Sequence, residues 1–205
     1  MTPGKRAFDI VLALALALVL VPVGIGIALV LLLREGRPVF YVSERMKTVD
    51  QPFDLWKFRT MRVNAGGADV TGGHKAGQVT GMGRVLRRTR MDELPQLWNV
   101  LRGDLSFVGP RPPLRSVVER FPEIYAQVLR SRPGITGLAT LYFHRHEEWL
   151  MAGAASAEEA RAVYDRRVVA RKARLDLIYQ RRRSLGMDLR LIGMTAARAF
   201  GFDVR

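Results

Sequence analysis

Residues 84–113 read RVLRRTRMDELPQLWNVLRGDLSFVGPRPP, and the order of residue types in this stretch decides how the rest of the chain is placed. Four cations, Arg84, Arg87, Arg88 and Arg90, precede two adjacent carboxylates, Asp92 and Glu93; an apolar stripe follows, and Arg111 stands between prolines. A helix that begins near Met91 or Asp92 puts Pro95 in its first turn, where the missing N–H has no partner to lose. The carboxylates then sit at a helix N-terminus, where the macrodipole favours anions and where phosphates also bind. Leu94, Leu97, Trp98 and Leu101 fall at i, i+3, i+4 and i+7, the spacing of one apolar face. Gly103 reads as the stop.

These residue types point to phosphoryl chemistry. Adjacent acids can divide the work, one as nucleophile and one as a ligand to Mg²⁺, while arginines neutralise the oxygens of a transferring phosphate. The same letters also fit a plain helix start, with Thr89-x-x-Asp92 as a capping box and Glu93 as a solvated first-turn acid. Residue chemistry alone leaves both readings open.

The run DELPQLWNVLRGDLSFVGPRP closely resembles the signature of the bacterial sugar transferases, the monotopic phosphoglycosyl transferases that begin assembly of lipid-linked glycans. KRAFD at Lys5–Asp9, KFRTM at Lys57–Met61, TGMGRVLRRT at Thr80–Thr89 and RPGITGLAT at Arg132–Thr140 lie in the family's order. The tail YDRRVVARKARLDLIYQRRRSLGMDLRLI resembles the family's last helix and the Ser–Asp segment after it, so the resemblance covers nearly the whole chain. It implies Asp92 as nucleophile, Glu93 as the Mg²⁺ ligand, and Arg87 and Arg111 as phosphate-binding arginines. It also brings Lys57 and Arg59 to the active-site wall, and the arginine of the turn-rich Arg132–Gly137 segment is a further candidate for phosphate. The implied reaction moves a sugar 1-phosphate from a UDP-sugar to polyprenol (undecaprenyl) phosphate through an aspartyl sugar-phosphate, releasing UMP. That is the first membrane step of exopolysaccharide, capsule, O-antigen or glycoprotein glycan assembly. Where the family commonly continues with Trp-Ala-Gln, this chain has Leu138-Ala139-Thr140.

Composition is consistent with such a role. The 205 residues are 48% hydrophobic and carry 33 Lys and Arg against 19 Asp and Glu, a formal net charge of +14. That excess requires an anionic partner, and nucleic acid, anionic lipid and phosphorylated substrates are the candidates. An Asp–Glu pair among arginines, next to a long apolar run, suits a nucleic-acid groove poorly. The expected partners are therefore a UDP-sugar, polyprenol phosphate and an anionic phospholipid membrane, with no nucleic acid; a homodimer is compatible with the sequence. A catalytically dead family member acting as a scaffold is the remaining competitor. Absent cysteines exclude disulfides and thiolate metal sites.

Ile10–Leu33 is an uncharged, mostly aliphatic run. As a straight helix it would extend about 36 Å, enough for a bilayer core of about 30 Å. It is longer than a signal-peptide apolar region and no convincing A-x-A site follows. Pro22, with Gly24 and Gly26 behind it, supplies a break at half length. Lys5 and Arg6 before the run and Arg34 and Arg37 after it favour cytoplasmic placement of both ends. The expectation is a re-entrant membrane helix over residues 1–36 and a catalytic domain over 37–205 on the cytoplasmic face of the bacterial inner membrane. In the family a Ser–Pro pair generally marks the break; here it is Val21–Pro22, so the break rests on Pro22 and the glycines alone.

The fold class expected is α+β and predominantly helical: a re-entrant hairpin plus a small domain with a short β-hairpin and interfacial amphipathic helices. Val39–Val42 and Phe53–Phe58 supply the β-hairpin. Asn64–Gly83, with seven glycines, reads as a long loop without a P-loop or dinucleotide fingerprint. Leu114–Leu129 is helical and interrupted around Pro122, Ala157–Arg183 is a long basic helix, and Leu189–Phe200 forms a closing amphipathic helix. His144 and His146 would share a face in a strand but lack a third metal ligand at suitable spacing.

Overall fold

The computed structural model describes residues 1–62, 78–199 and 201–202. The central part of the expected glycine-rich loop, with His74 and Lys75, lies outside the described residues. A long helix α1 (Pro3–Glu35) leads into the antiparallel hairpin β1 (Phe40–Met46) and β2 (Pro52–Phe58). Next come α2 (Gly81–Thr89), a single 3₁₀ turn Met91–Glu93, and α3 (Gln96–Arg102). Strand β3 (Ser106–Val108) is followed by α4 (Arg115–Arg120), α5 (Pro122–Val128) and β4 (Gly134–Thr136). Then α6 (Leu138–Ala152), α7 (Ala157–Val163), α8 (Val169–Arg182) and α9 (Leu185–Ala199) complete a predominantly helical chain.

The hairpin forms where its β-rich letters stand and extends further, pairing Phe40 with Phe58 through to Met46 with Pro52. Opposed residues in such a ladder share a face. Tyr41, Ser43 and Arg45 therefore lie on the side of Lys57 and Leu55, while Phe40 and Val42 lie on the side of Trp56 and Phe58. Two-sided use of this small hairpin is what positions the site.

Strands β3 and β4 carry no alternation that marks them in the sequence. They pair in parallel, Ser106 with Gly134 and Val108 with Thr136. Glycine makes this possible: a Cβ on Gly109 would run into the Arg132 carbonyl, and one on Gly134 into the Gly109 amide. The segments bearing GPRP and RPGITG thus meet backbone to backbone. Around them Ala13, Leu55, Val100, Phe107, Tyr179 and Leu191 form the main core.

Four expectations are corrected. The helix after the carboxylates starts at Gln96, not at Met91 or Asp92, because Arg90 adopts a left-handed conformation (φ 57°) and turns the chain sharply. Thr89 Oγ1 donates back to the carbonyls of Val85 and Leu86, so the capping box is not made. Of the expected apolar stripe, Leu97 and Leu101 pack against the main core and Leu94 beside Phe58 and Leu86, but Trp98 is 55% exposed, and the most buried side chains of α3 are Gln96, Asn99 and Val100. Asn99 satisfies its amide by donating to the Asp54 carbonyl (2.7 Å) and accepting from the Trp56 N–H (3.2 Å), which locks α3 to β2. Gly103 closes α3 with φ 85°, as its position suggests. His144 and His146 lie on α6, not on a strand.

Helix α1 runs through Pro22 as one helix, and Gly36 caps it by donating its N–H to the Leu32 carbonyl. The expected two-helix hairpin is thus not formed as separate elements. Both ends are docked, however. At the start, Lys5 Nζ donates to Asp188 Oδ2 (2.7 Å), and Asp188 Oδ1 accepts from the Tyr179 hydroxyl (2.6 Å). Arg6 donates to the carbonyls of Val100 (2.6 Å) and Leu101 (2.8 Å), at the C-terminal end of α3. At the other end Leu31 is buried with Phe58 and Leu86. Between them Leu18, Val19, Val21 and Ile25 stand exposed.

Candidate active site

The 3₁₀ turn carries Asp92 and Glu93 inward, each only 9% exposed. Three cations from three elements converge on Glu93. Lys57 Nζ, from β2, donates to Oε1 at 2.9 Å, and Arg90, from the turn after α2, donates to Oε2 at 2.6 Å. Arg111 Nη2, from the stretch after β3, stands 3.6 Å from Oε1. Burial by itself would push the Glu93 carboxyl up, but Lys57, Arg111 and Arg90 outweigh it and hold Glu93 well below the usual carboxylate range. Glu93 is an anion at any physiological pH.

Asp92 differs. Among the described residues no side chain binds its carboxylate. Burial, and then the neighbouring Glu93, raise its pKa above the ordinary value, with Lys57, Arg90 and Arg87 opposing. Arg87 is oriented from the last turn of α2 by donating Nε to Thr60 Oγ1 (2.9 Å). A buried acid that no side chain binds among the described residues, next to an ionised partner and several cations, is an arrangement that can serve nucleophilic chemistry.

Of the residues singled out in the sequence, Lys57, Arg87 and Arg111 come together with the dyad. Arg59 and Arg132 do not. Arg59 Nη2 donates to the carbonyls of Glu35 (2.8 Å) and Gly36 (3.0 Å), fastening the end of α1. Arg132 lies beside Gly103 with Arg6, at the far end of α3. Burial, then the charge of Arg6, lowers its pKa, with Asp9 and Asp104 opposing. Arg90 binds Glu93 directly, yet in the sequence it is one of four similar arginines. Its left-handed backbone is what selects it. Arg45 shares the Lys57 face of the hairpin and donates Nε to Ser43 Oγ (3.0 Å).

The donor set suits Mg²⁺. Hard carboxylate oxygens are its usual protein ligands, one or two of them completed by substrate phosphates. Lys57 and Arg90 each take one lone pair of the Glu93 oxygens, and a carboxylate has about four. Glu93 therefore keeps donors, and so does Asp92.

On the opposite face of the hairpin lies an apolar cavity of about 420 Å³ between α1 and the domain. Val21, Gly24, Phe40, Trp56 and Trp98 line it together with Leu94 and Pro95, the residues that follow Glu93.

The sequence profile described as Bacterial sugar transferase matches residues 2–201. The chain belongs to the bacterial sugar transferase family. It is 37% identical over 147 residues to an uncharacterised sugar transferase, EpsL, of Bacillus subtilis, covering 71% of each chain. It is 34% identical over 200 residues to the UDP-glucose:undecaprenyl-phosphate glucose-1-phosphate transferase of Escherichia coli, covering 96% of this chain and 40% of that one. A Caulobacter vibrioides protein of the same name is 38% identical over 140 residues, 66% of this chain and 52% of its own. The chain thus spans about half or less of these last two relatives.

Proposed function

We propose that this bacterial sugar transferase moves a sugar 1-phosphate from a UDP-sugar to undecaprenyl phosphate. The observation that carries the reading is the buried Asp92–Glu93 pair, with Glu93 held ionised by Lys57, Arg90 and Arg111 and, among the described residues, no side chain bound to Asp92. Relatives named for this transfer, with glucose or with N-acetylgalactosamine as the sugar, support it.

In the first step an Asp92 carboxylate oxygen attacks the phosphorus that bears the sugar. The bond from that phosphorus to the bridging oxygen breaks, and UMP leaves. Arg87 and Arg90 stand beside Asp92 to neutralise the phosphate oxygens, and Lys57 and Arg111 hold Glu93 in place. In the second step an oxygen of the polyprenol phosphate attacks the same phosphorus and the bond to Asp92 breaks, regenerating the carboxylate. Glu93 would hold Mg²⁺, which supplies charge neutralisation on the phosphate oxygens when bound. The apolar cavity next to Leu94 and Pro95 suits the isoprenoid chain of the acceptor and brings it beside the dyad.

Residues 1–36 form the membrane anchor and 37–205 the catalytic domain. Docking of both Lys5 and Leu31 on the same domain supports an anchor that returns to the face from which it enters. The basic flanks support a cytoplasmic face at the inner membrane. Only the intervening apolar residues are then left to lipid, and the basic surfaces of the later helices rest on anionic head groups. Measuring UMP released from a panel of UDP-sugars by the purified chain, with undecaprenyl phosphate and Mg²⁺, tests the reading. Absence of UMP with every donor, while the protein remains folded, would overturn it.

A further inference from the structure

Among the described residues, Arg45 is the cation on the dyad side of the hairpin that has no acid bound to it. It lies on the face that carries Lys57, two ladder positions beyond Ser43, and among the described residues it donates Nε to Ser43 Oγ alone. The adjacent carboxylate, Glu44, points to the other face and is taken by Arg115 through two hydrogen bonds of 2.8 and 3.1 Å. Meanwhile the Met46 N–H donates to the Pro113 carbonyl (3.0 Å), which holds this end of β1 against the GPRPP stretch and so sets Arg45 beside Arg111. A half-buried Arg45 is thus held near the more exposed Arg111, and the carboxylate that acts on it, Glu93, is already bound by Lys57 and Arg90.

A fold gains nothing from desolvating one guanidinium next to another unless an anion completes the arrangement. We infer that Arg45, paired with Arg111, binds the phosphate of the donor that leaves with the nucleoside. The inference rests on the reading of the chain as a UDP-sugar transferase. Position separates this phosphate from the one under attack. Arg87 acts on Asp92, where the attacked phosphorus must lie, and Arg90 reaches both carboxylates, whereas Arg111 acts on Glu93 with Arg45 near it. A diphosphate laid along the pair Asp92–Glu93 puts its sugar-bearing phosphate at the first group of cations and its nucleoside-bearing phosphate at the second. Bidentate guanidinium contacts suit that second phosphate, and leaving-group charge develops there as the bridge breaks. Burial and then the charge of Arg111 push the Arg45 guanidinium down to about 10, with Glu93 among the groups that oppose the fall.

The test uses the full chain in detergent micelles, with UMP as the binding probe and the UDP-sugar that wild type turns over best as donor. R45Q is expected to weaken UMP binding by calorimetry about tenfold or more. The donor KM rises by a similar factor, while the KM for undecaprenyl phosphate and the melting temperature stay as in wild type. R45K recovers part of the loss. Wild-type UMP affinity in R45Q overturns the inference, as does a rise confined to the acceptor KM, which would assign Arg45 to the lipid phosphate. A fall in melting temperature with all constants shifting together also overturns it, since Arg45 would then be structural. Should wild type bind UMP through Arg45 but turn over no UDP-sugar, the nucleotide-phosphate subsite stands and the transferase reading fails.

Discussion

The Lys57 ammonium lies 2.9 Å from Glu93 Oε1, and among the described residues no comparable partner binds the Asp92 carboxylate next to it. Two adjacent acids are thereby driven in opposite directions, Glu93 strongly ionised and Asp92 raised by burial and by its neighbour. Environments that separate two titrating groups in this way assign them different roles.

Turnover should therefore lose activity in acid at a higher pH than an ordinary aspartate would allow. The reactive form of Asp92 is the carboxylate, and a raised pKa means it is protonated earlier as pH falls. Glu93, held low, does not contribute to that limb. Arg87→Gln removes one cation that opposes the rise, so the acid limb of UMP release should move further up. A limb that stays put in this variant would show that Asp92 is not the titrating group.

Asp92→Asn should lower UMP release by about a thousandfold or more, since an amide cannot form the acyl phosphate. Asp92→Glu should also be poor, because one methylene moves the attacking oxygen beyond the tolerance of about 0.5 Å for a preorganised site. Glu93→Gln should leave slight activity that recovers partly at high Mg²⁺. The same variant should melt lower, because Lys57 loses its carboxylate in a buried setting. Intact mass spectrometry after incubation with donor alone should show one sugar-phosphate adduct on wild type and none on Asp92→Asn.

Asp188 accepts from both Lys5 and Tyr179 and is 1% exposed, so it fastens the start of α1 to the domain. Asp188→Ala leaves Lys5 buried without a partner and should cost about 3–5 kcal/mol of stability by chemical denaturation. The double variant Lys5→Met, Asp188→Leu should recover most of that. Equal losses in the two would mean that charge is not the cause.

Asp176 is buried without a hydrogen bond on Oδ1, and burial raises its pKa to about 7 against the opposing Lys172. The folded pKa exceeds the unfolded one, so the native state keeps a proton that the unfolded chain releases. Its favourable contribution is complete below the unfolded value and is lost as pH rises to about 7. Asp176→Asn should flatten this dependence and raise stability at about pH 8 by roughly 1–3 kcal/mol. A denaturation series across pH would show it, and an unchanged slope would remove Asp176 as the source.

Cysteines placed at Thr2 and at Arg37 should react with impermeant reagent from the same side of the membrane, the cytoplasmic one. Labelling of the two from opposite sides would make α1 a spanning helix. Replacing Pro22 by Leu should favour that spanning state.

Local order was enough to place the β-hairpin, the apolar α1, the interruption at Pro122, the stop at Gly103 and the acid pair among arginines. Each depends on near neighbours: alternation, an uncharged run, a ring that fixes φ, a residue without Cβ. Motif resemblance then separated Asp92 and Glu93 from ordinary first-turn acids. Which cations meet them was decided only by the tertiary structure. Arg59 and Arg132 resemble Arg87 and Arg111 in the sequence, but their guanidiniums go to the end of α1 and to the far end of α3. Arg90 reaches Glu93 through a left-handed turn, and Lys5 finds Asp188 at a separation of 183 residues. The parallel pairing of β3 with β4 rests on glycines that let two distant backbones touch. A charged side chain carries no local periodicity that names its partner. Its role is fixed by which backbone the fold brings within hydrogen-bond reach, and that is a property of packing between distant segments.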